Sequence, residues 1–126
     1  MKTCLIVDES PVIRKIAARI VEQEGFAACP AENAEAALAL IEAEGVPDVA
    51  LVSASLCEPA GIELMRAIRK SEGGNRPLVL AAIVEANLGL LTRLKRAGAD
   101  DIVYKPFNRG TLLAGLKSGA PAIRAA

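Results

Sequence analysis

Five short runs of apolar, β-prone residues recur along the chain, each followed by a longer stretch of helical period, and this alternation restricts the fold most. The runs are Cys4 to Val7, Phe26 to Cys29, Val49 to Ser53, Leu78 to Ile83 and Asp101 to Lys105. Three are apolar throughout instead of alternating, as expected of strands covered on both faces of a parallel sheet. The helices between them carry readable ends. Ser10 before Pro11 predicts an N-cap followed by proline at the first helical position, and Ile13, Ile16, Ala17, Ile20 and Val21 form one apolar stripe closed by Gly25. Asn33 caps a second helix that ends at Gly45, and a third starts near Gly61. A fourth, "LGLLTRLKRAG", places Lys95 and Arg96 at its negative end, and Asn108 caps a short fifth. Five βα units predict an α/β domain, a doubly wound, five-stranded parallel sheet, over residues 1–118, with a fraying tail over 119–126.

A chain of 126 residues fits one domain with one core. Its fifteen basic and fifteen acidic side chains cancel, so no overall field draws it to nucleic acid or to an anionic membrane. Cys4, Cys29 and Cys57 are odd in number and lack ligand spacing, which suits free thiols in a reducing compartment. With no histidine, the commonest general base and metal ligand is missing. The start "MKTCLIVDES" is too polar for a signal peptide, and no run reaches membrane-spanning length. A cytoplasmic protein is expected.

In a doubly wound sheet the site lies where the carboxyl ends of the strands open into a crevice. The first strand ends in Asp8 and Glu9, the third in Ser53, and the fifth in Lys105 followed by Pro106. Two adjacent carboxylates therefore face a lysine. With these ends in place, the fragments "LIVDES", "PDVALVSASL", "GIELMRAIR", "RPLVLAAI" and "AGADDIVYKPF", in this order and spacing, resemble the receiver domains of two-component response regulators. The resemblance covers nearly the whole chain. Its length is similar to that of stand-alone, chemotaxis-type receivers, and the implied fold is the flavodoxin-like (βα)5 sheet.

The resemblance implies roles for each strand end. In receivers an acidic pair holds Mg²⁺, an aspartate at the end of the third strand accepts a phosphoryl group, and a hydroxyl residue and a lysine contact its oxygens. Asp8 and Glu9 match the acidic pair and Lys105 the lysine, but Ser53 falls at the phosphoacceptor position. Ala82, or Ile83, replaces the hydroxyl residue. Ile102 replaces an aromatic, with Tyr104 expected on the opposite face of the strand. A serine hydroxyl is a poor nucleophile without an adjacent base and a weaker Mg²⁺ ligand than a carboxylate. A small strand-end serine is also an ordinary structural residue.

A degenerate pseudo-receiver is the reading these departures imply, with no enzymatic activity and no firmly held cofactor. Asp8, Glu9 and the Ser55 carbonyl would form a remnant Mg²⁺ site of low occupancy, and Lys105 is expected to pair with a carboxylate directly. Signalling would proceed through a protein partner, a histidine kinase or another regulator, on the face of the fourth helix, fifth strand and fifth helix. Leu90, Arg93, Arg96, Ile102 and Tyr104 are its interface candidates, and a homodimer could form there. Leu88, Leu91 and Leu94 form the stripe of the fourth helix, with Leu90 at its edge. Two alternatives remain: phosphotransfer through Asp8, Glu9 or Ser53, and binding of a small anionic ligand. The second lacks a phosphate loop, because "EGGNRP" precedes a strand instead of a helix. Cys57 is a further exposed-thiol candidate beside the crevice.

Overall fold

The computed structural model describes residues 2–54, 60–71, 73, 76–85 and 87–118. Ser55, Cys57 and the expected tail over 119–126 lie outside the described residues. Strands and helices alternate as β1 (Thr3–Val7), α1 (Pro11–Gln23), β2 (Ala27–Ala31), α2 (Ala34–Glu44), β3 (Val49–Ser53), α3 (Ala60–Lys70), β4 (Leu78–Ile83), α4 (Leu88–Ala97), β5 (Asp101–Tyr104) and α5 (Arg109–Ser118). All neighbouring strands are parallel, in the order β2-β1-β3-β4-β5. The chain steps outward from β1 to β2, then crosses back to β3, so strand order reverses between β1 and β3.

The continuous apolar runs are explained by two hydrophobic layers, one on each sheet face. Val52, Val79, Ala81 and Ile83 pack with Ile41 of α2, Ile62, Leu64, Met65 and Ile68 of α3 and Leu94 of α4. Cys4, Ile6, Leu51, Leu80 and Ala82 pack on the other face with Ala17, Ile20 and Val21 of α1 and Leu112 of α5. Burial of a Leu or Ile in either layer stabilises the fold by about 1.5–3 kcal/mol relative to exposure.

Helix starts follow the side-chain chemistry of their caps. Ser10 Oγ accepts from the Ile13 amide at 3.3 Å, Asn33 Oδ1 from Ala36 at 2.8 Å and Asn87 Oδ1 from Leu90 at 2.8 Å. Asn108 Oδ1 accepts from the Thr111 amide at 2.9 Å. Gly98 ends α4 with φ of 109°, and a Cβ there would lie 2.6 Å from Arg69 Cγ. Both the backbone twist and the arginine beside it therefore require glycine.

Several expectations need correction, the smallest being that β1 starts at Thr3 instead of Cys4 and β5 ends at Tyr104 instead of Lys105. β2 runs over Ala27–Ala31, not Phe26 to Cys29, and includes Pro30 because an edge strand tolerates a missing donor. Ile16 is 41% exposed, outside the buried part of the α1 stripe. Leu88 is 82% exposed, whereas Leu90 and Leu91 pack against the core. Finally, Tyr104 shares a strand face with Ile102, because residues two apart point the same way, and Val103 between them packs in the opposite layer.

Candidate functional site

The site is built by strands that end together on either side of the reversal in strand order. Asp8 follows β1, Ser53 closes β3 and Lys105 follows β5. Both Asp8 and Ser53 are buried, at the base of the crevice that such a reversal opens. Parallel ladders hold their backbones: the Asp8 amide donates to Ala31 O at 3.2 Å, and the Lys105 amide to Ile83 O at 2.8 Å. The bond from Lys105 to Pro106 is cis. Gly61 opens α3 directly over the end of β3, where a Cβ would lie 2.8 Å from Ser53 O.

The Lys105 side chain reaches across the crevice. Its ammonium donates to Asp8 Oδ2 at 3.1 Å and to Ser53 Oγ at 2.9 Å. The lysine side chain is 8% exposed and that of Asp8 3%, so this ion pair is sheltered from water. The other oxygen of Asp8, Oδ1, accepts from the Ser10 amide at 2.9 Å, which ties the carboxylate to the start of α1. Arg14 Nη1 donates to the Asp8 carbonyl at 2.6 Å and adds a second cation to the same turn. Glu9 is exposed.

Polarity decides what this arrangement can do. A hydroxyl becomes a nucleophile when a base accepts its proton. Ser53 Oγ accepts a hydrogen bond from the Lys105 ammonium, which draws electron density away from the oxygen.

Residues 4–117 match the model of the response regulator receiver domain. The chain belongs to this family. It is 34% identical over 118 residues to the phosphate regulon transcriptional regulatory protein PhoB of Pseudomonas aeruginosa, covering 93% of this chain and 51% of that protein. It is 31% identical to the heme response regulator HssR of Staphylococcus saprophyticus, over 94% and 51% of the two chains. The chain thus spans about half the length of these curated relatives. Among solved structures, the chemotaxis protein CheY4 of Vibrio cholerae superimposes with a TM-score of 0.87 at 26% identity, over 94% of this chain and 98% of that one. A CheY-like receiver from Methanospirillum hungatei gives 0.86 at 28% identity, over 99% and 98%.

The family's Mg²⁺ needs several oxygen ligands in near-octahedral arrangement. Among the described residues the donor set does not fit it. Asp8 has both carboxylate oxygens engaged, one by the Ser10 amide and one by Lys105. Among the described residues no three acidic, cysteine or histidine side chains converge as a metal cluster. The lysine ammonium lies between the remaining carboxylate and the hydroxyl.

On the face proposed for partners, Arg93 and Arg96 are exposed on α4, and Tyr104 is 52% exposed at the end of β5. Leu90 and Ile102 are half-buried and pack against the α2, α3, α4 layer. The exposed apolar residue of this face is Leu88, which sequence periodicity placed in the stripe: at the first helical position no preceding turn covers it. Sequence reading also missed Arg69, whose partners lie up to 31 residues away.

Proposed function

We infer that this receiver acts in two-component signal transduction by binding a protein partner without aspartyl phosphorylation. The observation that carries the reading is the Lys105 ammonium held between Asp8 and Ser53. Phosphoryl transfer is driven by positioning a nucleophile and neutralising charge on the transferred group. At this site the serine lacks the negative charge of an acceptor carboxylate, and Ala82, in register with Ser53, has no hydroxyl to offer the group. The internal ammonium already satisfies Asp8, so the crevice holds one fixed state.

Receivers act together with histidine kinases and other regulators; one relative is the CAI-1 autoinducer sensor kinase/phosphatase CqsS of Vibrio cholerae, 27% identical over 86% of this chain and 16% of that protein. The surface offered to such a partner is the α4, β5, α5 face, with Leu88 and Tyr104 as apolar anchors flanked by Arg93 and Arg96.

Intact-mass measurement after incubation with Mg²⁺ and a small acyl phosphate tests the reading, with Ser53→Asp measured in parallel. No adduct is expected on the native chain. A Mg²⁺-dependent phosphoryl adduct there, on Ser53, Asp8 or the exposed Glu9, overturns it and identifies the acceptor.

A further inference from the structure

Charge is distributed unevenly along this neutral chain. Residues 1–63 hold eleven acidic and four basic side chains, and residues 64–126 hold the reverse. Sheet order turns that asymmetry into geometry, because the first half builds the β2 side and the second half the β5 side. One helical layer displays it. α2 carries Glu35, Glu42 and Glu44 with no Lys or Arg, whereas α4 carries Arg93, Lys95 and Arg96 with no Asp or Glu. All six are exposed. α3 packs between these helices and is mixed, with Glu63, Arg66 and Lys70 exposed.

We propose that a second copy of this chain docks on the α2, α3, α4 layer about a two-fold axis that runs parallel to α3, between the two copies. Rotation about that axis lays the two layers face to face and exchanges their flanks. Acidic α2 then faces basic α4 of the other copy, and α4 faces α2, so both flanks are complementary. At the centre α3 lies beside the α3 of the other copy in the same direction, and Glu63 of one is within one turn of Arg66 of the other. Ala67, within α3, is small enough for close approach.

A two-fold through α4, β5 and α5, the homodimer expected from the sequence, fares worse. α4 and α5 together carry five cations and no carboxylate, so that contact brings like charges together. The layer proposed here consists of three helices of about 16 Å length at about 10 Å spacing. That is about 500 Å² per copy, in the range of weak, electrostatically held contacts. It does not depend on the state of Ser53.

Sedimentation velocity on the full chain tests the contact. Below about 0.05 M salt, where charges are screened only beyond about 10 Å, the native protein should approach twice its monomer mass with rising concentration. At about 0.5 M salt it should return to monomer. R93E/R96E and E35K/E42K should each stay monomeric, with circular dichroism confirming their fold. Mixed in equal amounts, they should recover the dimer, because each now supplies the charge the other lacks. A native chain monomeric throughout, association that survives either reversal, growth beyond a dimer, or a mixture that stays monomeric would each overturn the proposal.

Discussion

Two cation–carboxylate clusters lie at opposite ends of the same sheet, and they differ in how completely they are held. At the amino end, Arg69 of α3 donates from Nε and Nη2 to Gly98 O at 3.1 and 2.7 Å, and from Nη1 to Pro77 O at 2.8 Å. Its Nη2 also pairs with Asp100 Oδ2 at 2.8 Å, and that oxygen accepts from the Val79 amide at 2.8 Å. The planar fork thus ties α3 to the starts of β4 and β5. At the carboxyl end one ammonium satisfies a carboxylate and a hydroxyl. The first cluster braces the architecture through fixed backbone acceptors. The second occupies, with a single point charge, the place where the fold opens its crevice.

The largest expected effect separates the clusters by burial. Arg69 and Asp100 are 18% and 17% exposed, so water can reach groups orphaned there. Lys105 and Asp8 are more sheltered. Lys105→Ala strands a buried carboxylate and should lower the urea unfolding free energy by about 3–5 kcal/mol. Arg69→Ala should cost less, about 1–3 kcal/mol, because its orphaned acceptors rehydrate. If the arginine variant proves the weaker of the two, the amino-end cluster is the more important brace and the comparison fails.

How much of this was legible in the sequence follows from sequence separation and burial. Core strands were readable because both faces are covered, so Val49–Ser53 and Leu78–Ile83 are apolar at nearly every position. β2 was readable only in part, because its small residues mark a strand weakly and Pro30 suits an edge but looks like loop, so its end at Ala31 was missed. Asp8 and Lys105 are 97 residues apart, and the rule that the strands of a doubly wound sheet end at one crevice brought them together. Arg69 falls under no such rule: as the last-turn cation of an amphipathic helix it reads as solvated, and its role depends on a turn 29 residues away. Leu88 was misassigned because periodicity gives a face but not whether another element covers it.

A smaller effect sharpens what the carboxyl end retains. Ser53→Asp returns a carboxylate beside Asp8, giving Mg²⁺ two anionic ligands and a reason to displace the ammonium. In thermal melts this variant should be stabilised by Mg²⁺, by about 1.4 kcal/mol at tenfold excess over its Kd. The native receiver should not respond. Equal stabilisation of both proteins would show that the serine does not limit metal binding.

The smallest effect lies between the two ends, in β1 itself. Cys4 is sealed in the core, and burial first, then the nearby Cys29, pushes its thiol up to about 12 from an ordinary 9.0. The folded state thus holds this proton more tightly than the unfolded chain. Its contribution is complete below pH 9 and is lost as pH rises from about 9 towards 12. At pH 9.5 the loss depends almost entirely on the unfolded thiol and amounts to about 0.8 kcal/mol. Urea titrations at pH 8 and 9.5 should therefore show a smaller alkaline loss in Cys4→Ala than in the native chain. An unchanged loss would assign the alkaline sensitivity to other groups, those at the sheet ends among them. A reduced one would show that the folded chain holds the proton of the buried Cys4 thiol and that β1 excludes water at this position.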